Sequence, residues 1–421
     1  MAGRKRKKKR GGQVFWLTLV LTISVGSVLL LGGWVILGMN GTEFGTVKIE
    51  SELAGLMESV QAKGPQDGDG GQEDGEPRGK YGALLADQEL CREQRVYEKK
   101  TKSADEVTIV FAGDILFDDG YAIMAKMKQR GRGIEGSISQ EMLEVMQSAD
   151  IFMLNNEFPY TDRGEPTPEK QFTFRAKPEY ASYLFDMGVD IVSLANNHAY
   201  DYGEISLLDT MDTLENVGMP FVGAGMNLEE AVKPVYFIAN DMKIAFISAT
   251  QIERNDNPDT KGAGPDSPGV FRCWNVDRLL EVVANAKQVS DYVIVYIHWG
   301  TEATDELDWA QKEQAPKIAE AGADLIIGDH PHVLQQIGYC NDTPVIYSLG
   351  NYLFNSRAQD TCLVRVTLDG NGLKSLQFIP GRQEDCAVFM HQGTEKERVL
   401  SYMRSISQGV NIDGDGFVTK R

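Results

Sequence analysis

The sequence predicts an α/β fold in which two mixed sheets pack together with helices outside them. Short apolar runs alternate with stretches of helical pattern, which is typical of α/β proteins. The ten or so strand-like runs are many for one open sheet, so two packed sheets are expected. Two of these runs, 234–239 and 243–248, flank Asn240 and Asp241, which predicts a hairpin and therefore a mixed sheet.

The compact domain is predicted to begin near Glu106. Strands are predicted at 107–112, 151–154, 190–194, 219–222, 234–239, 243–248, 292–297, 324–327, 344–348 and 362–368. Helices are predicted at 139–148, 178–187, 204–216, 275–288 and 307–321, with a last helix at 395–408. Gly188, Gly218 and Gly322 lie just past three of these helices, where glycine commonly ends a helix.

The first 39 residues differ chemically from the rest. Residues 4–10 are all basic and lie in a predicted cytoplasmic segment, 1–13. Residues 14–39 carry no charge, and about 20 apolar residues suffice to cross a bilayer, so a transmembrane signal-anchor is predicted there. Trp16 and Trp34 stand near its two ends, as in the aromatic belts of membrane helices. A cleaved signal peptide is the alternative, although its apolar run is ordinarily shorter.

The basic block sets the expected orientation, because positively charged flanks stay in the cytoplasm. We therefore expect a single-pass cell-membrane protein with a cytoplasmic N-terminus and an extracellular C-terminal domain. Residues 40–104 are predicted to be a flexible acidic tether, since 64–82 contains seven glycines and five acids. A short helix is expected at 84–100. The domain proper is predicted at 105–390, followed by a helix and polar tail at 391–421.

The charge balance excludes one class of partner. The chain has 42 basic and 61 acidic residues, and seven of the basic ones lie in the first 39 residues. The part predicted to be extracellular is therefore strongly acidic. Such a surface repels nucleic acid, whose binding depends on lysine and arginine contacts to phosphate. It also repels a bare polyanion, unless cations or a local basic patch intervene.

The cysteines do not predict a metal site. They lack CxxC spacing, so thiolate ligation of zinc is not indicated. Their odd number leaves at least one thiol unpaired or paired between chains, and one or two disulfides could form. The five positions are Cys91, Cys273, Cys340, Cys362 and Cys386.

Four of the five histidines follow apolar runs that are typical of buried strands. His198 follows one run, His298 another, and His330 and His332 a third. In open α/β sheets, ligands and catalytic groups collect at the carboxyl ends of the strands. The placement of these histidines therefore predicts a metal site.

Carboxylates and an amide accompany the histidines. Asp114 closes the first predicted strand and Glu157 follows the second, where a buried carboxylate needs a partner. Asn197 precedes His198, and Asp201 could orient that imidazole or raise its pKa. Nitrogen and oxygen ligands without thiolate are typical of zinc, manganese or iron, so one or two such divalent ions are expected.

The segment His330-Pro331-His332 is expected to direct both imidazoles to one site. Proline biases the residue before it toward extended geometry. In an extended segment, residues two apart point to the same face. Residues 348–351 close a further strand and could supply groups that support the metal ligands.

Six motifs give the chain a resemblance to a known family. They are GDILF, NNEF, SLANNHAYDYG, HWGTE, GDHPHVLQ and YSLGNYLF, in this order. Over about residues 107–356 the chain resembles the CapA family, which comprises capsule-synthesis proteins associated with poly-γ-glutamate. This family belongs to the metallophosphatase (calcineurin-like phosphoesterase) superfamily. The resemblance implies a four-layer α-β-β-α sandwich with a site for two divalent metal ions.

The resemblance also implies a role for each motif residue. The implied metal ligands are Asp114, Glu157, Asn197, His298, His330 and His332. Glu157 stands where a bridging carboxylate is usual, His298 and His330 resemble ligands of one metal, and His332 resembles a ligand of the other. His198, with Asp201 beside it, resembles the acid or transition-state donor.

Three departures from the superfamily pattern are visible. Leu116 stands where metallophosphatases have a metal-binding histidine. Their bridging residue is usually aspartate rather than Glu157, and the aspartate expected after the asparagine–histidine pair is replaced by Ala199. One metal site is therefore short of a ligand unless Asp118 or Asp119 supplies it.

The expected function is that of a membrane-anchored extracytoplasmic protein in the biosynthesis or export of a poly-γ-glutamate-type capsule polymer. Its expected partners are the membrane and membrane subunits of a polymer synthase. One alternative is an extracytoplasmic metal-dependent hydrolase of a phosphoester or amide bond. Another is a non-catalytic scaffold that contains metal.

Overall fold

The computed structural model describes residues 79–252 and 261–421, which belong to one compact unit, Gly75–Arg421. The predicted segment 1–13, the predicted span 14–39 and residues 40–78 lie outside the described residues. Within the two described ranges, no helix is both long and apolar enough to cross a membrane.

Strands and helices alternate along the described chain. The strands are β1 Val96–Glu98, β2 Val107–Ile115, β3 Ile151–Asn156, β4 Ile191–Ser193, β5 Phe221–Val222, β6 Ala224–Gly225, β7 Val235–Ala239, β8 Met242–Thr250, β9 Gly269–Val270, β10 Tyr292–His298, β11 Leu325–Asp329, β12 Ile337–Cys340, β13 Thr343–Ile346, β14 Asn351–Leu353, β15 Gln359–Asp369, β16 Gly372–Glu384, β17 Ala387–Met390, β18 Val410–Ile412 and β19 Phe417–Lys420. The helices are α1 Gly82–Ala86, α2 Gln88–Glu93, α3 Ala122–Arg130, α4 Gln140–Gln147, α5 Ser182–Met187, α6 Glu204–Val217, α7 Leu228–Ala231, α8 Asp277–Val289, α9 Trp309–Glu320 and α10 Gly393–Ile406. Short 3-10 turns lie at Gly133–Gly136 and Pro178–Ala181.

Two mixed sheets contain all of these strands except β6 and β9, which pair antiparallel with each other. The first has the order β1-β7-β8-β10-β11-β13-β12, with β8, β10, β11 and β13 parallel. The second has the order β18-β19-β16-β15-β2-β3-β4-β5, with β14 beside β2 and β17 beside β16. In it, β2, β3, β4 and β5 are parallel. The prediction of an α/β fold with two mixed sheets is confirmed.

Alternating side chains divide the core into layers, because successive residues of a strand point to opposite faces. On β2, Ile109 and Phe111 join the apolar core between the sheets, whereas Val110 packs on the outer side with α3–α6. On β10, Ile294 joins the same central core, whereas Val295 packs outward with α8 and α9. Helices therefore cover the outer faces of two sheets that pack against each other.

The predicted hairpin at residues 240–241 is confirmed. β7 and β8 pair antiparallel, with Ala239 opposite Met242. Asn240 and Asp241 both have positive φ, 49° and 58°. Two consecutive positive φ values are characteristic of the type I′ turn, whose twist matches that of the flanking strands.

The domain boundaries are wider than predicted. β1, inside the predicted tether, pairs in parallel with β7. The single helix expected at 84–100 is divided, because the Asp87 side chain accepts a hydrogen bond from the Leu90 amide and starts a new helix. At the other end, β19 of the predicted polar tail pairs with β16, so residues 391–421 also belong to the domain. None of the disulfides that the sequence allowed is formed among the described residues.

Candidate metal centre

Polar side chains meet where parallel strands of both sheets end. They are Asp114, Glu157, Asn197 and His198 from the second sheet, and His298, Asp329, His330 and His332 from the first. All of them are buried except His332, whose side chain is 21% exposed. The structure therefore brings every predicted site residue to one place and adds Asp329.

Two glycines allow the strand ends to come this close. A Cβ at Gly113 would lie 1.9 Å from the Gly350 carbonyl oxygen, and one at Gly328 would lie 2.2 Å from the Tyr347 carbonyl oxygen. Each glycine directly precedes an aspartate that faces the site. The Gly-Asp pairs thus combine a close backbone approach with a carboxylate at the end of the strand.

A first group of metal-ligating atoms comes from Asp114, His298 and Asp329. Their ligand atoms lie within 4.8 Å of one another. Asp329 Oδ1 is 2.9 Å from His298 Nδ1, and its Oδ2 is buried without a hydrogen-bond partner in the described residues. The three residues arise from β2, β10 and β11, so this group spans both sheets.

A second group comes from Glu157, His330 and His332, with ligand atoms again within 4.8 Å of one another. Glu157 is fully buried, and neither of its oxygens has a hydrogen-bond partner among the described residues. Its Oε1 lies 3.6 Å from His298 Nε2 of the first group. A buried carboxylate left without partners is costly, and a cation shared by the two groups would satisfy it. The donors present therefore fit bound metal ions.

The electrostatics of the groups favour metal ligation. Burial, together with the neighbouring Asp114 and Asp329 carboxylates, raises the pKa of Glu157 well above its usual range. Burial lowers the pKa of His298 to about 3 and also lowers the pKa of His330. Both imidazoles are therefore neutral at physiological pH, which is the form that binds metal.

Asparagine side chains connect the strand ends. Asn155 Nδ2 donates to Asp114 Oδ1 at 2.8 Å, and Asn196 Nδ2 donates to Asn155 Oδ1 at 3.0 Å. The His198 amide in turn donates to Asn196 Oδ1 at 3.0 Å. Asn197 Oδ1 lies 2.8 Å from His298 Nε2, which places the predicted amide ligand beside the first group. Asn155 and Asn196 have no assigned role in the sequence analysis.

His198 has the partner that the sequence suggested. Its Nδ1 lies 2.7 Å from Asp201 Oδ2, and its Nε2 lies 4.0 Å from Glu157 Oε1. Asp201 is itself held by the buried ammonium of Lys170, 2.5 Å from Oδ1, and by the Phe174 amide at 2.6 Å. Lys170 also donates to the Asn197 carbonyl. Sequence analysis missed Lys170, which lies in a loop far from any strand end.

The predicted extended geometry of residues 330–332 is wrong. β11 ends at Asp329, and His330 and His332 have φ values of 93° and 58°. Non-glycine residues at positive φ cost about 1–3 kcal/mol each and concentrate at functional sites. Ser348 Oγ donates to the Val333 carbonyl at 2.7 Å, and Asn351 Oδ1 lies 2.9 Å from His332 Nδ1. Ser348 and Asn351 therefore contact the segment that carries the two histidines, as the prediction of a supporting role requires. The His330 and His332 rings are brought together by a strained turn and not by an extended strand.

Neither aspartate suggested as a replacement ligand reaches the centre. Asp118 accepts hydrogen bonds from the Gly120 and Arg175 amides, and Asp119 pairs with Lys128. Leu116 is buried in the apolar core outside the second sheet. The carboxylate that joins the first group is Asp329, which closes its strand after a glycine just as Asp114 does. That repeated Gly-Asp pattern was the signal available in the sequence.

Comparison with known proteins agrees with the motifs. Residues 108–356 match the model of the bacterial capsule synthesis protein PGA_cap. The PGA biosynthesis protein CapA of Bacillus subtilis (strain 168) is 31% identical over 303 residues, which cover 70% of this chain and 74% of that protein. The capsule biosynthesis protein CapA of Bacillus anthracis is 28% identical over 307 residues, covering 70% and 72%.

Among solved structures, the 5′-nucleotidase of Candida albicans SC5314 is 10% identical, with a TM-score of 0.33 over 65% of this chain and 54% of that one. The family match includes every residue of both ligand groups and confirms the resemblance that the six motifs indicate. The chain belongs to the bacterial capsule synthesis protein family PGA_cap.

Proposed function

We propose that this protein takes part in the biosynthesis or export of a capsule polymer of the poly-γ-glutamate type. The names of the two Bacillus relatives support that role, since they refer to PGA biosynthesis and capsule biosynthesis. The proposal is tied to a particular site by the fully buried carboxylate of Glu157, which has no hydrogen-bond partner among the described residues. Glu157 belongs to the second group of ligand atoms, and its Oε1 lies 3.6 Å from His298 Nε2 of the first group.

Two divalent metal ions are proposed to occupy the centre. Asp114, His298 and Asp329 would hold one, and Glu157, His330 and His332 the other, with Asn197 beside them. Zinc, manganese or iron suits this nitrogen and oxygen donor set. Such a pair supplies an activated water and charge stabilisation for an in-line displacement.

The residues of this chain complete that chemistry with a positioned imidazole. Asp201 accepts a hydrogen bond from His198 Nδ1–H, which leaves Nε2 to accept a proton, and later to deliver it, on the side of Glu157. Burial lowers the pKa of His198, although Asp201 opposes the shift. This imidazole favours the second candidate function, a metal-dependent hydrolase of a phosphoester or amide bond, which is compatible with the polymer role.

The proposal includes anchoring in the cell membrane by residues 14–39, with the domain outside the cell. It rests on the uncharged run and on the basic residues 4–10 that precede it. Membrane subunits of a polymer synthase are the proposed partners. Labelling of an introduced surface cysteine by a membrane-impermeant reagent on intact cells tests the orientation, and protection of that cysteine would contradict it.

The function is tested by deleting the gene and measuring surface polymer. We expect the deletion strain to lose surface polymer. The full-length protein should restore it, and a form without residues 1–39 should not. His330→Ala should fail to restore it because the metal centre is lost. The variant His198→Ala distinguishes a hydrolase from a non-catalytic scaffold. If the protein acts as a hydrolase, cells carrying the variant should lose surface polymer. If it acts as a scaffold, they should keep it. Normal polymer in the deletion strain would contradict the proposed role.

A further inference from the structure

A cavity of about 350 Å³ opens beside the metal centre. His330 forms one part of its wall, and Trp274 and Trp309 form another. The two indoles meet edge to face, with ring centroids 5.2 Å apart, and remain 44% and 47% exposed. Single exposed aromatics are common, but a pair that lines a cavity next to a candidate active centre is the composition of a ligand site.

Helix α9 begins with Trp309 and also contacts the backbone of Trp274. Trp309 is the first residue of α9, and Asp308 before it forms a reciprocal capping box with Gln311, with hydrogen bonds of 2.9 and 3.1 Å. Gln314, on the same helix, donates to the Trp274 carbonyl at 3.2 Å. The α9 contact to the Trp274 backbone and the contact between the two rings therefore hold the pair together, and a preorganised surface loses little entropy when it binds a ligand.

The charge of the cavity selects the ligand. Its charged lining residues are the acids Glu302 and Asp308, and none of its described lining side chains is lysine or arginine. An anionic segment would be repelled there. An ammonium group is attracted both by the carboxylates and by the faces of indole rings.

We propose that this cavity binds the amino-terminal residue of a γ-glutamyl chain, with its ammonium group against Trp274 and Trp309. This inference rests on the proposed function, which supplies the polymer class. Every residue of such a polymer keeps an α-carboxylate, and only the amino-terminal residue also carries an ammonium group. Only that end therefore offers the cavity a cation. The protein would thereby recognise a chain end rather than the length of the chain.

Calorimetric titration of the full-length protein with a γ-linked glutamate tripeptide tests the proposal, with the N-acetylated tripeptide as the matched ligand. The free tripeptide should bind about tenfold more tightly than the acetylated one, and Trp309→Ala should weaken its binding by a similar factor. Phe417→Ala, which removes a 41% exposed ring on β19 outside the cavity, should change nothing. Equal unfolding midpoints establish that the variants are folded.

Equal affinity for the two tripeptides, no binding of the free one, or unchanged binding by Trp309→Ala would each overturn the proposal. Loss of polymer in cells carrying Trp309→Ala, with tripeptide affinity unchanged, would instead identify the pair as a protein contact and would also overturn it. The proposed function fails separately, when deletion of the gene leaves surface polymer intact.

Discussion

Asp329 Oδ1 lies 2.9 Å from His298 Nδ1, across the paired ends of β11 and β10. The two residues are opposite each other in the strand register, so the contact is fixed by the sheet rather than by a loop. Both also belong to one group of ligand atoms with Asp114. Asp329 is therefore placed either to ligate a bound metal directly or to orient the His298 ring, and in each role the proposed centre would depend on it.

Asp329→Asn is expected to lower metal affinity about 10–100-fold, because the amide keeps the shape of the carboxylate but not its charge. Metal content of the purified protein after dialysis against a weak chelator measures the effect. Asp119→Asn is the matched control, since Asp119 pairs with Lys128 away from the centre. Equal metal content in both variants would show that Asp329 does not contribute to metal binding.

Asp201→Asn is expected to destabilise the fold while leaving the metal ligands in place. The change removes the negative charge that faces the buried ammonium of Lys170, and breaking a buried ion pair from one side costs about 3–5 kcal/mol. Replacing Lys170 by methionine in the same protein should recover much of that loss. Urea unfolding of the two single variants and the double variant gives the coupling energy, and strictly additive losses would contradict a direct pair.

Stability of the metal-free protein is expected to fall as the pH is lowered from 7 toward 3. Burial lowers the pKa of His298 to about 3 in the folded protein, whereas an unfolded histidine titrates near 6.5. Between these values the unfolded chain binds more protons, so acid favours unfolding. His298→Asn should therefore reduce the slope of unfolding free energy against pH, measured in EDTA. Identical slopes for the two proteins would show that His298 does not contribute.

Gly113→Ala is expected to destabilise the protein by about 3 kcal/mol or more, because the added methyl group meets the Gly350 carbonyl at 1.9 Å. Gly370→Ala, with open space around the added atom, is the control and should change stability by less than about 0.5 kcal/mol. The thermal unfolding midpoints of the two variants measure this difference. Equal midpoints would mean that the end of the strand tolerates a side chain at position 113.

Sequence reasoning recovered the features that repeat along the chain. Each of the ten apolar runs corresponds to a strand of the structure. The histidines that follow three of these runs lie in the candidate metal centre. The later strands β14 and β16–β19 were missed because they are short, partly exposed or rich in polar residues, and therefore lack a continuous apolar pattern.

The contacts that depend on tertiary structure could not be predicted. Lys170 reaches Asp201 from a loop 31 residues earlier in the chain, and no local pattern marks it. The segment that follows the strained turn at His330 is held by a distant residue, because Ser348 Oγ donates to the Val333 carbonyl. Asp329 differs from these cases, because the Gly-Asp pair ending β11 repeats the pair that ends β2.

The central claim is that the two groups of ligand atoms hold metal. Its most direct test is elemental analysis of the gently purified full-length protein, wild type against His330→Ala. We expect transition metal at up to two ions per wild-type chain and a marked loss in the variant, with Phe417→Ala unchanged as the control. Absence of bound transition metal from the wild-type protein, or equal content in wild type and His330→Ala, would contradict the account.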